Sequence, residues 1–147
     1  MKDVNLFNKV FHYLNYIVGF LGGVIGYALG GYDQALLILI GMVFADYITG
    51  LLSAYLNKKL NSDIGRQGIV KKIGIFLVVT IAYMTDTILG AEGLIRMMSI
   101  WFYISKEGIS ALENLAESGV PIPEKLKNAL QQLHEQSEDK NTEEEST

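Results

Sequence analysis

Acidic side chains stand inside two apolar stretches of this chain, where a helix facing lipid would not carry them. Asp46 lies near the middle of the apolar run from Ala35 to Leu56. Glu107 follows Lys106 in a second, less apolar stretch. An ionisable group at membrane depth needs a polar partner or water, so we interpret these positions as a functional site. The chemistry they offer is ion pairing or the lining of an aqueous path.

Each of the two carboxylates begins a stripe of small or polar residues. Positions three, four and seven residues further on lie on the same face of an α-helix. After Asp46 and after Glu107 these positions hold Thr49, Gly50 and Ser53, and Ser110, Ala111 and Asn114. Because lipid would reject such stripes, both are predicted to face protein or water. Helix packing and pore lining require the same orientation, and the sequence leaves these two roles open.

Four apolar segments could cross a membrane as helices, which takes about 20 residues each. They are residues 10–29, 34–56, 69–89 and 94–112. The first three have the length, whereas Arg96, Lys106 and Glu107 interrupt the fourth, which either spans inside a bundle or lies at the interface. We predict an all-α, polytopic membrane bundle with four transmembrane helices, and three as the alternative.

The positions of lysine and arginine predict the orientation of these segments, because short loops rich in them stay cytoplasmic. The links after the first and third segments carry none before Arg96. The loop between the second and third segments is predicted to hold Lys58, Lys59, Arg66, Lys71 and Lys72. We therefore predict a multi-pass protein of the cytoplasmic membrane, with both termini and this basic loop in the cytoplasm. Cleavage of the first segment as a signal peptide would leave three spans and contradict that arrangement.

Charge divides the chain into a hydrophobic part and an acidic end. Residues 1–112 carry seven acidic and nine basic side chains, and residues 113–147 carry nine and three. The predicted domains are a transmembrane helical domain over 1–116, an amphipathic cytoplasmic helix over 117–135 and a disordered acidic tail over 136–147. Nucleic acid would repel such a tail, so we expect no nucleic-acid partner.

Other residue types restrict the chemistry further. The chain has no cysteine, which excludes disulfides and thiolate nucleophiles. Its two histidines, His12 and His134, have no ligand partner at helical spacing, and we interpret both as solvated surface residues. No nucleophile with a positioned base, phosphate-binding glycine loop or metal cluster is recognisable, so we expect neither an enzyme nor a cofactor.

The first segment contains a glycine face. Gly22, Gly26 and Gly30 recur every four residues, so in one continuous helix they would let another backbone approach closely. That backbone could belong to another segment of the chain or to a second copy, and the sequence leaves both open.

Depth predicts two ion pairs. If the second and fourth segments both run from outside to inside, Asp46 and Lys106 lie at the same level, about 18 Å from the outer surface. Asp86 ends the third segment and Arg96 begins the fourth at that surface. We therefore predict the pairs Asp46–Lys106 and Asp86–Arg96, the second mainly as a packing contact.

Several short motifs, taken in their order and spacing, resemble the holins of phage lysis and toxin secretion. They are Asp46-Tyr47-Ile48-Thr49-Gly50, residues 62–68, Lys71-Lys72, Asp86, Phe102-Tyr103-Ile104, residues 107–114 and residues 119–123. Together they cover about residues 40–133. The matching positions are Asp46, Thr49, Gly50, Lys72, Asp86, Glu107, Ser110, Glu113 and Asn114, and the resemblance assigns them no individual roles.

The resemblance implies a small inner-membrane protein that accumulates in the lipid bilayer, forms a homo-oligomer and opens lesions. Those lesions would release an endolysin, which is a cell-wall hydrolase, or a toxin, without binding that cargo specifically. An antiholin is a candidate partner. Two alternatives stay open. One is a small ion channel or transporter in which Asp46 or Glu107 binds a cation or proton. The other is a non-conducting antiholin or membrane adaptor that acts through the tail.

Overall fold

The chain folds into helices alone over the part that the structure describes. The structure, a computed structural model, describes residues 2–59 and 61–144, with side chains for residues 8–137 except 10, 60 and 64. These residues contain five helices and no strand. The helices are α1 (Lys2–Ala28), α2 (Gln34–Leu56), α3 (Ser62–Leu89), α4 (Leu94–Glu117) and α5 (Glu124–Glu144). The prediction of an all-α fold is confirmed.

Two of the described helices have the length and the apolar composition of a membrane span. They are Gln34–Leu56, which is α2, and Gly65–Leu89, which is most of α3. These two correspond to the second and third predicted segments. The charged residues inside α4 lower its apolar character, in line with the interruption noted in the sequence.

Helix α1 and the turn after it form one compact unit that ends at Tyr32. The hydroxyl of Tyr32 donates a hydrogen bond to the carbonyl of Gly22 at 2.7 Å. A Cβ atom at Gly26 would overlap the Tyr32 ring. The glycine face is therefore occupied by a side chain of the same unit.

The predicted face of three glycines is wrong in one position. Helix α1 ends at Ala28, and Gly30 lies beyond it with a φ of 82°. Gly31 follows with a φ of 99°, a region that only glycine enters without strain. Because these two residues turn the chain, Gly30 cannot continue the helical stripe of Gly22 and Gly26.

The second unit contains α2 to α5, and its first three helices run alternately. Asp33, just before α2, contacts Arg96 near the start of α4, and Ser53 near the end of α2 contacts Glu117 at the end of α4. Helices α2 and α4 are therefore parallel. Helix α3 connects them and runs in the opposite direction beside both, which places the two polar stripes at the same level.

This unit combines an apolar core with buried charged residues and an exposed apolar surface. An apolar core exists near the start of α2, where Leu36 and Leu39 are fully buried. Buried polar side chains accompany it at Asp46, Ser53, Asp86, Arg96, Ser105 and Glu107. Large apolar side chains on the outside of α2 and α3 are exposed, among them Leu37, Phe44, Ile48, Ile73, Leu77 and Ile81. An exposed apolar surface of this extent marks contact with lipid or with another protein.

The predicted basic loop is shorter than expected. Lys58 and Lys59 lie in the connection between α2 and α3, whereas Arg66, Lys71 and Lys72 lie on α3, which begins at Ser62. The sequence suggested a loop because glycines interrupt this stretch. One of them, Gly68, packs against the Tyr47 ring, where an added Cβ would lie 3.2 Å from the ring. That tertiary contact offsets the weak helix propensity of glycine.

Helix α5 folds back along α4. Leu130 covers Gly108, and the imidazole of His134 lies 5.1 Å from the Phe102 ring and 3.2 Å from the Ser105 hydroxyl. The two helices are therefore antiparallel. The interpretation of His134 as a solvated residue is wrong, since its partners come from α4. His12 is exposed, as expected.

The described length of α5 differs from the predicted boundaries. We predicted a helix over 117–135 and disorder over 136–147, whereas α4 continues to Glu117 and α5 continues to Glu144. Residues 145–147 of the predicted tail lie outside the described residues. The sequence from Glu124 onward has no glycine or proline and is rich in glutamate, glutamine and lysine. These are strong helix formers, which explains why the helix extends further than its apolar stripe.

Candidate functional site

One lysine lies between two carboxylates at the centre of the second unit. The Lys72 ammonium, on α3, forms ion pairs with Asp46 on α2 and with Glu107 on α4. The three side chains keep only 16%, 12% and 7% of their surface exposed. Charges removed from water to this degree need direct partners, and removing one partner leaves the others uncompensated. The Lys72 ion pairs therefore hold three helices together.

The polar stripe of α4 completes the coordination of Asp46. The side-chain amide of Asn114 donates to the Asp46 carboxylate at 3.1 Å and to the Thr49 hydroxyl at 3.4 Å. A Cβ at Gly50 would lie 3.4 Å from that amide nitrogen, so the small residue leaves space for it. The two predicted stripes face each other, and each satisfies the polar groups of the other.

A further contact extends the stripes toward the ends of α2 and α4. The Ser53 hydroxyl donates to the Glu117 carboxylate at 2.8 Å, and the Asn57 amide donates to the Ser53 carbonyl at 3.0 Å. Ser53 was predicted to belong to the site, but Glu117 and Asn57 were not. Glu117 could have been found, because it lies three residues beyond Asn114 and so continues the face of the stripe.

The predicted Asp46–Lys106 pair is wrong, because Lys72 is the cation that contacts Asp46. Adjacent residues of a helix point about 100° apart. When Glu107 faces α3, Lys106 therefore turns away from that contact. Lys106 is exposed, and its ammonium lies 5.8 Å from the centre of the Phe102 ring.

A second charged cluster joins the opposite ends of the same helices. The Asp86 carboxylate accepts hydrogen bonds from the backbone N–H groups of Ile95 at 3.0 Å and Arg96 at 2.7 Å. Gly93, the N-cap residue of α4, has no side chain to cap the helix, so Asp86 performs this function. The structure thus brings Asp86 and Arg96 together through a backbone hydrogen bond, and the predicted ion pair between their side chains stays a prediction.

Arg96 also reaches the beginning of α2. Its guanidinium pairs with Asp33, whose other carboxylate oxygen accepts the Leu36 N–H at 2.8 Å and caps α2. Burial alone would raise the pKa of Asp33. The hydrogen bonds from Arg96 and Leu36 outweigh that effect, so the pKa lies below its ordinary value of 3.8. Sequence reasoning missed Asp33 as a partner of Arg96, although an aspartate directly before an apolar helix is a known capping signal.

A cavity of about 720 Å³ lies beside the Lys72 ion pairs. Its walls come from α2, α3 and α4, and it includes most of the predicted intramembrane site but not Thr49, Ser53, Asp86 or Arg96. The lining residues are Asp46, Tyr47, Gly50, Leu51, Gln67, Gly68, Lys71, Lys72, Ile75, Tyr103, Lys106, Glu107, Ser110 and Asn114. The cavity therefore unites the predicted stripes with two lysines of the predicted basic loop.

Comparison with known families identifies the class of protein. The sequence matches the bacteriophage holin family over residues 23–135, which covers the end of α1, all of α2, α3 and α4, and part of α5. This chain belongs to the bacteriophage holin family. The family consists of non-enzymatic membrane proteins that oligomerise in the membrane. The resemblance seen in the sequence is thus confirmed, and the protein is a membrane protein.

Individual relatives agree with this assignment. A protein named a probable holin from Bacillus phage phi105 is 38% identical over 95 residues, which cover 65% of this chain and 70% of the relative. An uncharacterized 14.9 kDa protein in the nagH 3′ region of Clostridium perfringens is 41% identical over 127 residues, 86% and 96% of the two chains. An uncharacterized protein of Listeria monocytogenes is 42% identical over 114 residues, 78% and 81%. No solved structure matches the chain.

Proposed function

We propose that this protein acts as a holin, which oligomerises in the bacterial cytoplasmic membrane and forms lesions that release a cell-wall hydrolase or a toxin. The observation that carries the proposal is the combination of buried charges and an exposed apolar surface on α2, α3 and α4. Their charged residues pair internally at Lys72, while large apolar side chains such as Phe44 and Leu77 are exposed. This arrangement suits a unit whose outer surface contacts lipid while its polar stripes stay buried inside.

The proposed topology has four spans, α1 to α4, with both termini and the α2–α3 connection in the cytoplasm. Lys58 and Lys59 in that connection support the orientation by the positive-inside rule. The parallel course of α2 and α4 supports a spanning α4, because two helices that run side by side in register cross the same layers. Polar residues on α4 are compatible with this, since α2 and α3 both pack against it.

Lesion formation requires polar surfaces that a resting subunit conceals. In the resting subunit the Asp46 and Glu107 stripes satisfy each other through Lys72 and Asn114. In a large assembly the same stripes would face a water-filled lesion instead of each other, because water can replace their internal hydrogen bonds. Helix α5 is too polar to face lipid, so a spanning α4 with a cytoplasmic C-terminus requires α5 to leave the face of α4 that it covers in this structure.

The proposed partners follow from this mechanism. Copies of the chain associate with each other within the bilayer, and the released hydrolase or toxin passes through the lesion without specific binding. An antiholin is proposed as a regulator that would compete for the same helix contacts.

Expression in a bacterium together with a cytoplasmic cell-wall hydrolase tests the function. We expect abrupt lysis when the chain accumulates, and no lysis when the hydrolase is expressed alone. Release of a cytoplasmic reporter enzyme gives the size of the lesion. Ion leakage without release of the reporter would refute the holin proposal and indicate a channel. Neither leakage nor lysis, with the chain present in the membrane, would indicate a non-conducting regulator.

A charge variant refines this experiment. Replacing Lys72 by methionine removes the internal partner of both carboxylates, so the timing of lysis should change. Replacing the neighbouring Lys71 by methionine removes the same charge without breaking an ion pair between described residues. Equal lysis times for the two variants would contradict a role for the Lys72 pairs in holding the resting state.

A further inference from the structure

The cavity beside Lys72 has a second group of cations that its ion pairs do not use. Lys71 on α3 and Lys106 on α4 both line it and are both exposed. Neither forms an ion pair with the residues whose side chains the structure describes. Two lysines from different helices therefore line one concave surface without a carboxylate partner there, although the Lys106 ammonium lies near the Phe102 ring.

The acidic residues of the cavity do not cancel these charges. Asp46 and Glu107 are both engaged by Lys72 and are nearly buried. The lining contains three lysines and two carboxylates, so its formal charge is +1. The positive charge is concentrated on the exposed side, at Lys71 and Lys106, while the carboxylates lie deeper.

Neutral donors and apolar residues complete the lining. Gln67 and Tyr103 also line the cavity, and their amide and hydroxyl groups can donate hydrogen bonds. Leu51 and Ile75 supply apolar wall. Next to Lys71 on the outer surface of α3, Val70 and Ile73 are 63% and 56% exposed. A cationic recess therefore adjoins a surface that suits hydrocarbon chains.

The recess lies just inside the cytoplasmic boundary of the proposed membrane. The apolar span of α3 begins at Gly65, so Lys71 lies about 9 Å along it at 1.5 Å per residue. A lysine side chain can reach the headgroup layer from that depth. Basic pockets between transmembrane helices on the cytoplasmic side are suited to anionic lipid headgroups.

We propose that this cavity binds the phosphate headgroup of an anionic phospholipid from the cytoplasmic leaflet. Lys71 and Lys106 pair with the phosphate, Gln67 and Tyr103 donate hydrogen bonds to the headgroup, and the acyl chains lie on the apolar surface of α3. The bound lipid joins α3 to α4 beside the Lys72 ion pairs. The inference rests on the membrane topology proposed above.

Native mass spectrometry tests the site. The full chain is purified from bilayers that contain equal amounts of phosphatidylglycerol and phosphatidylcholine, and the lipids retained on it are counted. We expect the wild type to retain phosphatidylglycerol in preference, and K71Q/K106Q to lose that preference by at least about tenfold. The matched control K58Q/K59Q removes two lysines that do not line the cavity, and it should retain the lipid.

A charge-conserving variant and a free anion make the test specific to a lipid headgroup. The variant K71R/K106R keeps both charges and should keep the preference, and circular dichroism verifies that every variant is helical. Equal loss in K58Q/K59Q and K71Q/K106Q would overturn the proposal in favour of general attraction to basic residues. Binding of inorganic phosphate to the detergent-solubilised chain as tightly as phosphatidylglycerol would overturn it in favour of a free-anion site.

The site and the proposed function can fail separately. The chain has no cysteine, so single introduced cysteines can report the topology without background labelling. A wild type that causes no lysis but retains phosphatidylglycerol would refute the holin function and leave the lipid site standing. A wild type that lyses cells but retains both lipids equally would refute the lipid site alone.

Discussion

Lys72 on α3 forms an ion pair with Glu107, 35 residues later on α4, and the same ammonium contacts Asp46, 26 residues earlier on α2. One side chain thus connects three helices at the centre of their polar surface. The pairing also explains how these two carboxylates can be nearly buried, because each shares the cation with the other.

Loss of Lys72 should be strongly destabilising. We expect Lys72→Met to lower the free energy of unfolding by about 3–5 kcal/mol, because two nearly buried carboxylates lose their cation. Thermal or chemical denaturation in detergent micelles measures the change. Lys71→Met, the matched control, should stay within about 0.5 kcal/mol of the wild type, since its ammonium is exposed.

Neutralising the acids should restore the stability that Lys72→Met removes. In the variant D46N/K72M/E107Q no charge is left without a partner at this point, and replacing a complete buried charge cluster is often nearly neutral. A triple variant as unstable as Lys72→Met would show that the methionine disturbs packing and that the charges matter little.

The contact between Gly26 and Tyr32 should be sensitive to a single side chain. Gly26→Val places atoms where the Tyr32 ring lies, so the turn after α1 must open. Hydrogen exchange should then speed up at the Gly31 amide, which donates to the Gly26 carbonyl at 2.7 Å in the native turn. A Cβ at Gly23 would have no atom within 4 Å, so Gly23→Val should leave that exchange rate unchanged. Unchanged exchange in both variants would mean that Tyr32 does not hold the turn.

Helix α5 should detach when its contact with Gly108 is filled. A Cβ at Gly108 would lie 3.0 Å from Leu130, so Gly108→Leu overpacks the α4–α5 interface. We expect trypsin to cut at Lys125 and Lys127 at least about tenfold faster. Gly41→Leu, at a glycine of α2 with nothing within 4 Å, is the control. Equal cleavage of the two variants would contradict the docking of α5 on α4.

The cap of α2 should depend on pH through Asp33. Its pKa is lower in the folded protein than the ordinary 3.8, so the stability that it contributes is complete above that value and is lost as the pH falls through and below it. The hydrogen-exchange protection factor of the Leu36 amide should fall in this range. In Asp33→Asn, whose side chain does not titrate, the factor should be lower throughout and should not change with pH in this range. A Leu36 factor that stays constant in the wild type would refute the role of Asp33.

The stripes on α2 and α4 were predictable because helical periodicity determines which residues share a face. The sequence indicated that Asp46 and Asn114 both lie on polar faces, and the structure brings these residues together at 3.1 Å. Capping by Asp33 was visible in the same local way. Such features depend on residues a few positions apart in the chain.

Contacts between residues far apart in the chain could not be predicted from the sequence in this way. Choosing Lys72 over Lys106 as the partner of Asp46 depends on the rotation of α4 about its axis, which packing against three helices decides. The occupation of the Gly26 face by Tyr32 depends on the turn between them. In both cases the residue types are compatible with several pairings, and only the three-dimensional packing selects one of them.

The order of synthesis gives the charged residues of α4 a particular advantage. Each contact described for them has its partner earlier in the chain: Asp33 for the Arg96 guanidinium, Asp86 for its backbone N–H, and Lys72 for Glu107. A charged residue that enters a bilayer alone costs about 2.5–3.5 kcal/mol on insertion scales. When the ribosome delivers α4, the complementary groups on α2 and α3 have already been made. Helix α4 is the least apolar of the proposed spans α2–α4, and it is made last. Its charged residues can therefore pair with groups on α2 and α3 as it enters the membrane.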